Sequence, residues 1–78
     1  MMRVIIYTTP TCRSCGVAKQ FLAERGVGFT EYDISKDQKK MVELVSRTGR
    51  ASVPIIEIDG DFIVGFDKHR LAKKLGLL

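Results

Sequence analysis

Val4-Ile5-Ile6-Tyr7-Thr8-Thr9-Pro10-Thr11-Cys12-Arg13-Ser14-Cys15 is the stretch that decides the fold. Its first five residues are mostly β-branched or aromatic and apolar on both faces, which predicts a central parallel strand. Thr9-Pro10-Thr11 breaks that strand. From Arg13 to Arg25 the periodicity turns helical, with Val17, Ala18, Phe21 and Leu22 on one face. Gly26 suits the C′ position that ends such a helix. Phe29 to Ile34 reads as a second strand. Strand, helix and strand in so short a span make a βαβ unit, whose crossover is right-handed and whose strands are parallel.

Beyond this unit, Ser35-Lys36-Asp37-Gln38 reads as a capping box, with Ser35 as N-cap and Gln38 reaching back. The helix it opens puts Met41, Leu44, Val45 and Thr48 on one face, and Gly49 stops it. Ile55-Ile56-Glu57-Ile58, Asp59-Gly60 and Asp61-Phe62-Ile63-Val64 spell a hairpin, because Asp-Gly between β-rich runs is a strong two-residue turn signal. Asp67 is the expected N-cap of a last helix carrying Leu71, Ala72 and Leu75, with Lys73 and Lys74 suited to its C-terminal dipole. The order is β-α-β-α-β-β-α. An α/β fold follows, a four-stranded mixed sheet flanked by three helices, with the second and fourth strands at the edges.

The chain has 78 residues, 45% hydrophobic and 28% charged, and residues 1–78 are read as a single domain. That composition excludes disorder. The longest apolar runs, such as Phe62-Ile63-Val64, fall far short of the ~20 residues a membrane helix needs. Met1-Met2-Arg3 leads straight into the first strand with no secretory h-region, so a cytoplasmic protein is expected. The net charge of +4 is scattered, with no run of five like charges, and argues for a solvated surface rather than nucleic-acid binding.

Both cysteines lie in one tetrapeptide, Cys12-Arg13-Ser14-Cys15. A bridge across so short a loop restrains the unfolded chain by only about 2 kcal/mol, so the pair does not hold the fold together. C-x-x-C beside a βαβ pattern reads as a redox motif. Cys12 falls where a buried strand gives way to a helix N-terminus. Unpaired N–H groups and the helix dipole favour negative charge there and lower a thiol's pKa from its free value of ~8.5. Cys12 is therefore the candidate nucleophile. Cys15, one turn along and more buried, is the candidate resolving thiol. Arg13 adds a nearby positive charge. The competing readings are half a zinc site, for which the only other strong ligand is the distant His69, and small apolar residues paired by chance.

Three further features have two readings each. Pro54 in Ser52-Val53-Pro54 is a simple strand-start proline or a cis-proline that exposes backbone groups beside the thiol. Gly65-Phe66-Asp67 is a turn, a core ring and a cap, or a helix start that binds a carboxylate while Asp67 meets an ammonium group. Lys68, Arg70, Lys73 and Lys74 form a water face or a docking patch for an acidic partner.

These residues together resemble the glutaredoxin family, within the thioredoxin fold. Tyr7 to Cys15 resembles the family's active-site loop, and Ala18-Lys19 and Leu22 follow in its manner. Thr48-Gly49-Arg50-Ala51-Ser52-Val53-Pro54 resembles the element carrying the cis-proline, and Val64-Gly65-Phe66-Asp67 the element before the last helix. The resemblance implies a dithiol–disulfide oxidoreductase that reduces protein disulfides or glutathione mixed disulfides. Cys12 would attack and Cys15 resolve, supported by Pro10, Arg13, Ser14 and Pro54. Val53 would offer backbone hydrogen bonds to the cysteinyl part of glutathione, and Gly65, Phe66 and Asp67 would hold its γ-glutamyl end. No bound cofactor and no metal are implied. Glutathione, or thioredoxin reductase with NADPH, would supply electrons, and a monomer acting on disulfide-containing proteins is expected.

The family's usual Pro-Tyr between the cysteines is Arg13-Ser14 here. Thr8 and Thr9 stand where many members have a lysine, with Arg47 or Arg50 as candidates to replace its charge. Phe66 resembles the S-G-F element of NrdH-type redoxins, which reduce ribonucleotide reductase and are recharged by thioredoxin reductase. A cluster-binding module, holding iron and sulfur between two subunits, is a further alternative that Cys15 disfavours.

Overall fold

A computed structural model describes residues 2–77. The elements are β1 (Val4–Thr8), α1 (Arg13–Glu24), β2 (Thr30–Asp33), α2 (Gln38–Thr48), β3 (Ile55–Ile58), β4 (Asp61–Val64) and α3 (Lys68–Lys74). The sheet order is β2-β1-β3-β4. β1 runs parallel to β2, with Ile6 opposite Glu31, and antiparallel to β3, with Ile6 opposite Ile56. This is the expected thioredoxin-like arrangement, with β2 and β4 at the edges. β1 is central, though parallel on one side only.

The continuous apolar run of β1 has a simple cause: both faces of the sheet are covered. Alternate strand residues point to opposite faces. Val4 and Ile6 join Ala18, Phe21 and Leu22 of α1 and Leu71 and Ala72 of α3 on one side. Ile5 and Tyr7 join Leu44 of α2, Ile34 and Ile55 on the other. Ile6 has no exposed surface, so Ile6→Ala falls in the range of about 2–5 kcal/mol for emptying a core site. β2, at an edge, is polar and largely exposed, as Thr30-Glu31-Tyr32-Asp33 allows.

Glu57 is the one charged residue buried among the described residues. It faces α2, where Arg47 donates to it at 3.2 Å and the Tyr7 hydroxyl at 3.4 Å. Burial first, and then the Glu57 charge, push the Tyr7 phenol above its ordinary value.

The hairpin is as the sequence predicts. Asp59 and Gly60 both have positive φ, 49° and 90°, as a type I′ turn requires. Asp59 also closes the end of the sheet, accepting from the Arg3 N–H at 2.8 Å and donating to the Arg3 carbonyl at 3.0 Å.

The start of α2 differs from expectation. Its N-cap is Asp37, whose carboxylate accepts the Lys40 N–H at 3.1 Å, not Ser35. The Ser35 hydroxyl and N–H are both already engaged by Asp33, at 2.6 and 2.9 Å. A turn closed by the Lys36 and Asp37 N–H groups on the Asp33 carbonyl then delays the helix. Two residues assigned to buried helical faces are also exposed, Val17 at 48% and Val45 at 39%. No described helix is long and apolar enough to cross a membrane.

Candidate active site

β1 delivers the chain to the sheet's upper end at Thr8. Pro10 then occupies the second position of a tight turn, for which its fixed φ is preset. The turn closes with the Cys12 N–H donating to the Thr9 carbonyl at 3.2 Å. Cys12 is the N-cap of α1, with extended φ and ψ of −87° and 108°. Its sulfur accepts the Cys15 N–H at 3.1 Å, one of the donors a helix start leaves unpaired.

Cys12 and Cys15 are joined as a disulfide, with Cα atoms 5.3 Å apart. Their exposures differ as the sequence predicts: Cys12 is half-buried at the surface, while Cys15 is 1% exposed against the core. The Ser14 hydroxyl lies 3.5 Å from the Cys12 sulfur. Arg13 opens the helix beside it, and the first turn carries no acidic residue. The sulfur thus meets a helix N-terminus with no competing carboxylate on that turn, and Arg13 lines the same cleft.

A shallow cleft of about 660 Å³ opens over Cys12, walled by Val53, Phe66, Val17, Thr9 and Thr11 together with Arg13 and Ser14. The peptide bond from Val53 to Pro54 is cis, and Pro54 itself is buried. The loop before α3 supplies Phe66. Gly65, at φ 80°, turns that loop, and its N–H donates to the Pro54 carbonyl at 2.8 Å. One hydrogen bond therefore couples the two loops that flank the sulfur.

Cys12, Arg13, Ser14, Val53 and Phe66 thus share one cleft. Pro10, Pro54 and Gly65 shape its loops without walling it, and Cys15 lies beneath. Asp67 caps α3, accepting the Arg70 N–H at 3.1 Å, just outside the wall. Arg47, a candidate to supply charge here, is instead paired with Glu57 and stacked 4.7 Å from the Phe62 ring centroid. Arg50 is exposed and absent from the cleft wall.

Thr9, which stands in the region of the family's lysine, is in the wall, while Thr8 is buried against Glu31; Thr11 and Val17 are wall residues to which the sequence reading gave no role of their own. Val17 carried a signal, an apolar residue two positions past the second cysteine. It also fitted the core stripe, which hid it.

α1 is braced from the side. The Thr8 hydroxyl donates to Glu31 at 2.7 Å and the Lys19 ammonium at 3.0 Å, which ties β1, β2 and α1 at one carboxylate. The Thr8 hydroxyl, and then Lys19, hold the Glu31 carboxyl below its ordinary value. Among the described residues, no group of three or more His, Cys, Asp or Glu side chains is arranged to hold a metal ion.

Comparison with known proteins agrees with this geometry. The glutaredoxin family model matches residues 4–63. Glutaredoxin 3 of Escherichia coli K12 is 43% identical over 67 residues, covering 86% of this chain and 81% of that protein. An uncharacterized glutaredoxin-like 8.6 kDa protein from the rubredoxin operon of Clostridium pasteurianum is 38% identical over 68 residues, covering 87% and 91%. A crystallised mutant of a thioredoxin-like protein superposes with a TM-score of 0.92 at 29% identity, covering all of both chains.

Proposed function

The chain belongs to the glutaredoxin family and is a thiol–disulfide oxidoreductase, and from that premise we propose that Cys12 is its nucleophile and Cys15 its resolving thiol. The observation that carries this reading is the placement of the Cys12 sulfur: at the surface, capping α1, and accepting the N–H of the buried Cys15 at 3.1 Å. In the reduced protein that N–H and the helix dipole stabilise a Cys12 thiolate.

The thiolate attacks one sulfur of a substrate disulfide. A Cys12–substrate bond forms, the substrate S–S bond breaks, and the first substrate sulfur leaves as a thiolate. Cys15 then loses its proton and attacks the Cys12 sulfur. The mixed disulfide breaks, the second substrate sulfur leaves, and both departing thiolates are protonated from Cys15 and solvent. Two electrons have passed to the substrate, and the Cys12–Cys15 disulfide remains.

Pro10 sets the turn that presents Cys12. Ser14 and Arg13 support the anionic sulfur. Val53, beside the cis-proline, offers backbone hydrogen bonds to the cysteinyl part of a bound glutathione or to a substrate backbone. Gly65 is committed to Pro54, which leaves Phe66 and Asp67 to meet the γ-glutamyl end. The whole chain works as one domain with no prosthetic group, as a monomer in the cytoplasm. Its substrates are protein disulfides or glutathione mixed disulfides, and glutathione recharges it.

A second reading starts from Phe66, which lines the cleft and stands in the element that resembles the S-G-F of NrdH-type redoxins. There the protein donates electrons to ribonucleotide reductase and is recharged by thioredoxin reductase with NADPH.

One experiment separates these. The oxidised protein is mixed either with glutathione or with thioredoxin reductase and NADPH, and free thiols are counted. Reduction by glutathione supports the first reading, and reduction by the flavoenzyme alone supports the second. Failure with both, together with no turnover of hydroxyethyl disulfide, rejects the assignment of Cys12 and Cys15.

A further inference from the structure

Three hollows share wall residues and so adjoin in series, an arrangement termed here a groove. The cleft over Cys12 is bounded by Val17 and Phe66. Those two residues also bound the next hollow, with Gln20 and Glu24 on its α1 edge and Phe21, Arg25 and Lys68 on its far side. The same three open onto a third, of about 370 Å³, that includes His69 and Ala72. The groove leaves the sulfur and follows α1 along its seam with the start of α3.

Near the sulfur the groove is apolar. Val17 is 48% exposed there, and Phe66 packs edge-on against Phe21 with centroids 5.7 Å apart. Its far end carries two cations, Arg25 and Lys68, against one carboxylate, Glu24. The Arg25 guanidinium lies 3.9 Å from the Phe21 ring centroid, and the Lys68 ammonium 6.0 Å from the same centroid. Glu24 reaches Arg25 only at 4.0 Å, and Lys68 has no carboxylate partner among the described residues. Attack at Cys12 needs only a disulfide. It does not account for an apolar seam leading to two cations gathered on one ring.

We propose that this groove holds the polypeptide flanking the disulfide of a protein substrate, extended, with an acidic side chain seated between Arg25 and Lys68. The proposal rests on Cys12 being the attacked-and-attacking sulfur and adds a substrate class to that reading. The spacing follows from the helix. Phe21 is nine residues beyond Cys12, about 13 Å at the α-helical rise. An extended chain covers that in about four residues, and reaching past the stacked guanidinium takes it to about six. The preferred substrate therefore carries Asp or Glu about four to six positions from its reactive cysteine, with apolar residues between. The comparably large hollow between β4 and α3 is a poorer candidate, because no cysteine lines it and its Lys74 is paired with Asp61.

The test uses disulfide-looped synthetic peptides with Glu, Ala or Lys about five positions from the cysteine, on either side in separate peptides. Hydroxyethyl disulfide serves as a substrate too small to reach Arg25. Wild-type protein is expected to favour the Glu peptide over the Lys peptide by about tenfold in kcat/KM at low salt, a preference that shrinks as salt screens it. Arg25→Gln with Lys68→Gln is expected to bring the ratio to within about twofold, and Arg25→Glu with Lys68→Glu to invert it. A wild-type ratio near one, or a ratio unmoved by charge reversal, overturns the proposal. If hydroxyethyl disulfide is turned over while the peptides are not discriminated, the groove alone is rejected. If it is not turned over at all, the Cys12 assignment falls and the groove with it.

Discussion

The starts of α1 and α3 are built alike and made of different chemistry. In each, the N-cap side chain accepts the N–H three residues on, at 3.1 Å: Cys12 from Cys15, and Asp67 from Arg70. α2 repeats the arrangement with Asp37 and Lys40, also at 3.1 Å. A carboxylate cap is chemically quiet. A sulfur cap changes with redox state. As half of a disulfide it is a neutral, weak acceptor, and as a thiolate it is a charged one that meets the helix dipole. With Cys12 as the proposed thiolate, α1 holds its cap most firmly when the protein is reduced. Favouring the reduced form makes the disulfide the better oxidant, which shifts the pair's potential upward. On the proposed assignment, the same local geometry that only stabilises at Asp37 is reactive at Cys12.

The largest expected effect comes from removing the reactive cap. Cys12→Ser keeps an acceptor at the N-cap but loses the nucleophile, and disulfide turnover should fall by at least about a thousandfold. Cys15→Ser should instead leave a mixed disulfide with protein substrates, seen as a shifted band on a non-reducing gel. Turnover retained in Cys12→Ser would show that the sulfur cap is no more reactive than the carboxylate ones.

Making α1 like its neighbours is the next step. Cys12→Asp should be inactive yet more stable than Cys12→Ala by about 1–2 kcal/mol, the usual worth of an N-cap. At roughly 4–8 °C per kcal/mol for a domain of this size, thermal melts resolve the difference. Equal melting temperatures would mean that the position is not an effective cap.

The two carboxylate caps can then be set against each other. Asp37→Ala and Asp67→Ala should each cost about 1 kcal/mol. Only Asp67→Ala should raise KM for glutathione-containing disulfides, by a few-fold. Matching kinetics in the two variants would reduce Asp67 to a cap alone.

The smallest effect concerns the brace on α1. Glu31 is held below its ordinary value of 4.5 by the Thr8 hydroxyl and then by Lys19. Its folded form favours the carboxylate, so its contribution is complete above that value and fades as pH falls through the lower folded pKa. Glu31→Gln should flatten the acid limb of stability below about pH 4.5 while costing less than about 1 kcal/mol at neutral pH, because the pair is partly exposed. An unchanged acid limb would leave the cap, not the brace, as what holds the start of α1.

What the sequence made legible were features written in adjacent residues. β1 announced its burial on both faces, Asp59-Gly60 its turn, and Cys12 its place at a helix start. The miss at Ser35 was also local, but it turned on a competition: two good caps stood two residues apart, and Asp33 had already engaged the serine. Arg47 was misjudged because its partner, Glu57, arrives from another element. The groove from Cys12 to Arg25 was hidden for the same reason. Phe21 and Phe66 meet only after the whole sheet has formed between them, and no periodicity within either segment shows the wall they share.

Asp59 clasps the backbone of Arg3 at the end of the sheet opposite Cys12. β1 spans five residues between the two, about 17 Å. A fluorescent reporter carried on the Asp59-Gly60 turn would therefore sit at the end of the sheet away from the reactive sulfur. The fold offers a redox module that can be tagged at that end of its sheet, with the cleft left open to large partners.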